Sequence, residues 1–275
     1  MIRPLVLALA IVGCSPATDA PEAEAQVKAE ASAAVTTTAS ANASRSSAAK
    51  ATEFVDNQTR DGGKRIFKYS WPAEVSAIPV LAERLTEERT AQLAGQKKVF
   101  SEMGEGCPPD AVSCRSNAFE KEWKVVADTP RLLSLSAQIY TFTGGAHGNT
   151  GFDAMVWDRE GGRGYRALDL FESDDAFSTM MGEPFCDALN AERENRRGAP
   201  VPSDGEWPND CPSIAETTVI VGSANGKTFD RLGFLIDPYT AGPYAEGAYD
   251  ITLPVTPAVV GIVKPAFRAS FSARN

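Results

Sequence analysis

Residues 119–158 read FEKEWKVVADTPRLLSLSAQIYTFTGGAHGNTGFDAMVWD, and three strands can be read directly from them. Residues 119–128 carry Phe119, Trp123, Val125 and Val126 among charged positions. Residues 132–142 alternate Leu133, Leu135, Ala137 and Ile139 on one face and finish in Tyr140 and Phe142. Residues 150–158 carry Phe152, Met155, Val156 and Trp157. Alternation with a period of two, rich in aromatic and β-branched side chains, is the pattern of a half-buried strand. The linkers between the three are short, which favours an antiparallel meander.

Moving outward, residues 65–71 form another strand candidate, ended by Pro72. Residues 79–103 read as a long amphipathic helix. Val80, Leu81, Leu85, Leu93 and Val99 make an apolar stripe, and Glu83, Glu87, Glu88, Arg89, Lys97 and Lys98 make a wet face. Residues 173–197 form a second helix. Ser173 suits the N-cap, Asp174 and Asp175 suit the first turn, and Arg193, Arg196 and Arg197 suit the C-terminal end of the macrodipole. Pro184 is a candidate kink. Strand candidates follow at 217–222, 230–237 and 247–253. The order helix, strands, helix, strands predicts an α+β fold rather than a βαβ chain, with two antiparallel-sheet-plus-helix halves packed as one body at 54–165 and 166–275.

The N-terminus carries a different signal. Residues 1–13 have Arg3 followed by a short apolar run, too short to span a bilayer, and the run ends at Cys14. Ile11-Val12-Gly13-Cys14 resembles a bacterial lipobox, which implies cleavage before Cys14 and acylation of that cysteine. Ser15 in place of Asp points to the outer membrane. Residues 14–50 then read as a lipidated cysteine and a flexible Ala/Ser/Thr-rich tether. Thirteen of residues 15–50 are alanine and none is aromatic, so the stretch lacks the apolar surface needed to offset ordering entropy. The expected setting is the periplasm, with the membrane reached through the lipid.

Of 275 residues, 36 are acidic, 27 are basic and one is histidine, a formal charge of −9. Loss of residues 1–13 removes only Arg3 and leaves 26 bases against 36 acids, or −10. That balance excludes a nucleic-acid partner, which requires a dense basic patch. After Cys14, four cysteines remain. An even number in an exported chain favours disulfides, and proximity favours Cys107 with Cys114 and Cys186 with Cys211. Their spacings match no common zinc pattern, and no metal or other cofactor is expected.

Two strings stand out. Thr143-Gly144-Gly145-Ala146-His147-Gly148-Asn149 follows Tyr140 and opens a strand. It is either a glycine-rich hairpin whose histidine caps carbonyls or a recognition loop. No G-x-S-x-G elbow accompanies it, and no catalytic residue is assigned. Asp237-Pro-Tyr239-Thr-Ala-Gly-Pro-Tyr244-Ala-Glu-Gly247 is either a packed connection or an aromatic binding edge.

On these two strings, with TFTGGAHGNTGFDAMVWD and Leu168-Asp169-Leu170-Phe171, the chain resembles the paired extracytoplasmic domains of unknown function in RsiV-type anti-sigma factors. The same domains accompany some peptidoglycan deacetylase domains. The resemblance spans roughly 65–265 and implies an α+β extracytoplasmic module that, in the anti-sigma proteins, recognises lysozyme. The expected function is therefore a non-catalytic binding module for a cell-envelope ligand, either a basic lysozyme-type hydrolase or peptidoglycan. The rivals are an envelope hydrolase using His147 and a structural lipoprotein without a small ligand.

Overall fold

The structure is a computed structural model, and it describes residues 49–274 apart from Pro109. Cys14, the signal segment and the tether up to residue 48 lie outside the described residues. The described elements are β1 (Thr52–Val55), β2 (Gln58–Arg60), β3 (Gly63–Trp71), α1 (Ala73–Ser76), α2 (Pro79–Glu102), β4 (Asn117–Asp128), β5 (Leu132–Phe142), β6 (Asn149–Asp158), β7 (Arg163–Tyr165), α3 (Asp174–Arg197), β8 (Thr218–Gly222), β9 (Arg231–Ile236), β10 (Tyr249–Pro254) and α4 (Pro257–Gly261). Among them, no helix is long and apolar enough to cross a membrane.

The first seven strands form one sheet in the order β1-β3-β4-β5-β6-β7, with β2 on the same edge of β3 as β1. β4, β5 and β6 are the antiparallel meander, with Trp123 opposite Ala137 and Ala137 opposite Asp153. A register shift between Val125 and Ala127 interrupts the first of these ladders. One pairing departs from the expected all-antiparallel sheet. β3 and β4 run parallel, Arg65 opposite Asn117 and Ser70 opposite Glu122. Neighbouring parallel strands need a long crossover, and α2 supplies it. The first half thus contains a βαβ unit, where the sequence pattern pointed to antiparallel pairing.

The pleat sends Phe67, Tyr69, Trp71, Trp123, Leu135 and Trp157 to one face, where they pack on Leu81 and Leu85 of α2. β8, β9 and β10 form a second, antiparallel sheet with β9 central. Its core packs on Phe177, Met181, Phe185 and Leu189 of α3. Ala127, Leu132 and Val156 of the first sheet belong to that same core, so the two halves form one body.

α3 starts where its sequence says it should. Ser173 is extended, and its hydroxyl accepts from the Ala176 N–H at 3.0 Å. Gly198 ends the helix with φ +67°, a left-handed cap. Pro184 lies inside a helix that runs unbroken across it. Two disulfides join Cys107 to Cys114 and Cys186 to Cys211.

Candidate functional site

The two distinctive strings meet. Gly144 and Gly145 have φ of +96° and +95°, a conformation that L side chains avoid, and they swing the chain from β5 back into β6. This brings His147 to the surface. A Cβ at Gly148 would lie 2.4 Å from the Tyr140 ring, so that ring covers a position only glycine can occupy. The His147 ring stacks on Tyr244 of the other string, with centroids 4.1 Å apart and planes 23° apart. Tyr239 leans on Tyr244 at 5.3 Å, and its hydroxyl lies 3.5 Å from His147 Nε2.

Hydrogen bonds fix the stack. The Tyr244 hydroxyl donates to the Gly148 carbonyl at 3.1 Å, and His147 Nδ1 lies 2.9 Å from the same oxygen. A proton on Nδ1 satisfies that contact and leaves Nε2 facing the Tyr239 hydroxyl. Thr143 and Gly145 lie exposed on the turn and Asn149 exposed at the start of β6, and none makes a hydrogen bond or ring contact with the three rings among the described residues.

A third loop joins them, and sequence reasoning did not select it. Trp207, in the loop after α3, donates from Nε1 to the Tyr239 carbonyl at 3.2 Å. Trp207 is 56% exposed, Tyr239 49%, Tyr244 38% and Tyr140 37%, against 5% or less for the other three tryptophans. Exposed rings of this size normally mark contact surfaces. The available signal was Trp207 itself, an aromatic in an otherwise polar Pro/Asp/Gly loop.

The charged residues within the three loops are all acidic, although Arg196 and Arg197 of α3 reach them from behind. Residues 143–149, 198–212 and 237–247 contain Asp204, Glu206, Asp210, Asp237 and Glu246, and no lysine or arginine. Burial raises the Asp237 carboxyl above its usual range, partly offset by the Phe152 N–H. At Glu246 burial also pushes upward, but hydrogen bonds from Arg197 and Tyr249 outweigh it and hold the carboxyl below its ordinary value.

Behind the rings lies support from the last turns of α3. Arg197 grips Glu246 through Nε and Nη2 at 2.9 and 3.0 Å and donates to Asn209 Oδ1 at 2.9 Å. Arg196 donates to the Glu246 and Ala248 carbonyls, both at 2.8 Å. On the other side, a Cβ at Gly144 would lie 3.5 Å from Cys114 Cα, which places the Cys107–Cys114 loop under that turn. Tyr140 and Thr150 also end a groove of ≈ 820 Å³ on the sheet face away from α2, floored by the paired charges Lys68–Glu120 and Lys124–Glu122.

His147 Nε2 faces only the Tyr239 hydroxyl, at 3.5 Å, and no serine, cysteine or threonine nucleophile and no orienting carboxylate is hydrogen-bonded to the ring among the described residues. Nor do three His, Cys, Asp or Glu side chains converge as a metal-holding group among them.

A family model described as "Deacetylase PdaC" matches residues 19–150. Among solved structures, a DUF3298 family protein from Pseudomonas aeruginosa PAO1 is 18% identical, with 82% of this chain and 98% of that one covered and a TM-score of 0.44. A DUF3298 family member from Bacteroides fragilis is 16% identical, with 76% and 91% covered and a TM-score of 0.46. No curated protein matches.

Proposed function

We propose that this chain is a non-catalytic recognition module of the cell envelope, held in the periplasm at the outer membrane by lipid on Cys14, and that it binds a basic lysozyme-type hydrolase. One observation carries the reading. Three loops distant in sequence place Trp207, Tyr239, Tyr244 and His147 side by side and exposed, on loops with five acids and no lysine or arginine. Exposed tyrosine and tryptophan supply contact area at low entropic cost. An acidic surround steers a cationic partner and sets its orientation more than it sets affinity. The resemblance of both strings to lysozyme-sensing domains agrees with this chemistry. The hydrolase alternative has less support, because the His147 ring has no hydrogen-bonded carboxylate to orient it among the described residues and its Nδ1 contacts a backbone carbonyl.

Titration calorimetry of the full chain with hen egg-white lysozyme tests the proposal. Binding that weakens at least tenfold in Tyr244→Ala and Trp207→Ala, and whose association rate falls with salt, is expected. No binding, or binding indifferent to both substitutions, overturns it. Binding of soluble muropeptides in place of lysozyme assigns the surface to peptidoglycan, and their turnover assigns it to a hydrolase.

A further inference from the structure

The buried residues of α3 fall at 177, 181, 185, 189 and 193, one every fourth position. The first four are Phe, Met, Phe and Leu. The fifth is Arg193, with no exposed surface at all. A helix stripe that is apolar for four steps should remain apolar at the fifth unless a charge is wanted there.

The guanidinium has five N–H donors, and every one is used. Nε and Nη2 both donate to the Ala241 carbonyl, at 2.9 and 2.7 Å. Nη2 donates to the Asp210 carbonyl at 2.8 Å. Nη1 donates to the Asn209 carbonyl and to Asn190 Oδ1, both at 3.0 Å. Four of the five bonds therefore end on main-chain carbonyls of two loops. Asn209 and Asp210 follow Trp207, and Ala241 lies between Tyr239 and Tyr244. Without the group, the buried Ala241 carbonyl would lose both of these donors, and the half-buried Asn209 and Asp210 carbonyls one each.

We propose that Arg193 is the positioning residue of the aromatic surface, joining loops 198–212 and 237–247 into a single cooperative unit. The loops are about thirty residues apart along the chain and share no strand pairing. The buried guanidinium supplies both with a common set of hydrogen bonds, and the Trp207–Tyr239 contact forms on top of it. Arg197, through Glu246, Asn209 and Pro208, repeats the link nearer the surface. Only the binding consequence rests on reading these loops as a recognition surface; their cooperative opening does not.

Hydrogen exchange on the full chain tests this directly. In the unsubstituted protein, amides of 198–212 and 237–247 should open together with one common protection factor. In Arg193→Lys, which keeps the charge but offers three donors from one point, both loops should exchange at least tenfold faster while β4, β5 and β6 keep their protection. Iodide quenching adds a local signal, because Trp207 is the one tryptophan open to solvent. Its quenching constant should rise in the variant. Independent opening of the two loops in the unsubstituted protein overturns the proposal whatever the variant does. So does loosening of one loop only. If the loops loosen as described but lysozyme binds neither form, the functional proposal fails and this one stands.

Discussion

Tyr239 holds φ at +73°, a backbone conformation that costs a bulky side chain about 1–3 kcal/mol. It does so in an exposed loop, with half its surface in water. Packing alone does not call for a tyrosine there, because glycine would occupy the same backbone without strain. Tyr239→Gly is therefore expected to leave the unfolding free energy unchanged or raise it by about 1 kcal/mol, since strain relief is partly offset by glycine's entropy. The same substitution should weaken lysozyme binding at least tenfold. Urea titration beside calorimetry checks both, and a loss above about 1 kcal/mol would show that the ring is packed as core. His147, Tyr239 and Tyr244 were legible as candidates because glycine and proline punctuate their strings. Their meeting was not legible, since it depends on contacts between strands of different sheets. Arg193 was read from the sequence as a charge near a helix C-terminus. Its place on the fourth-residue stripe of Phe177, Met181, Phe185 and Leu189 was the stronger signal.

At the scale of elements, α3 shows how far local chemistry reaches. Its N-cap, acidic first turn and glycine stop are all written in residues 173–198, and the helix begins and ends there. Ser173→Ala removes the side-chain acceptor of the Ala176 N–H and is expected to lower stability by about 1 kcal/mol. Thermal unfolding checks it, with Ser173→Asp expected to restore the cap. The meander was legible for a similar reason, because turns of a few residues leave adjacent strands little choice but to pair. The parallel β3–β4 pair was not. Its register is set across 45 intervening residues by the packing of Leu81 and Leu85 on the sheet, and nothing local to either strand encodes it. The N-terminal end of β4 also begins two residues before the apolar pattern, because Asn117 and Ala118 pair through backbone atoms.

The whole molecule depends on contacts between its halves. Arg131, between β4 and β5, pairs with Asp158 through Nη2 at 2.9 Å and donates from Nη1 to the Ala266 carbonyl near the C-terminus. The Arg131 hydrogen bond holds the Asp158 carboxyl below its ordinary value against the opposing effect of burial. A depressed carboxyl stabilises the fold fully above its unfolded value, near 3.8, and that stabilisation is lost as pH falls through the folded value. Asp56 behaves alike through Lys97 and Arg65. Urea midpoints should therefore fall steeply below about pH 4. Asp158→Asn should be less stable at pH 7 and show a shallower acid limb; an unchanged limb would remove this pair from the acid response. Because Ala127, Leu132 and Val156 complete the second core, a chain of residues 166–275 alone should show no cooperative thermal transition. A sharp one would make that half independent. The entry of the chain has a mechanical consequence as well. Tension arriving from the N-terminal side meets β1 first, and its four residue pairs with β3 are followed at once by Asp56, whose N–H bonds the Phe67 carbonyl, and by Asn57, whose side chain accepts from the Phe67 N–H at 3.1 Å. Arg65 and Lys97 hold the Asp56 carboxylate behind them. On the proposed reading of an N-terminal lipid anchor and a bound partner, the load would fall on this short strand and its ion pairs, a fuse upstream of both cores.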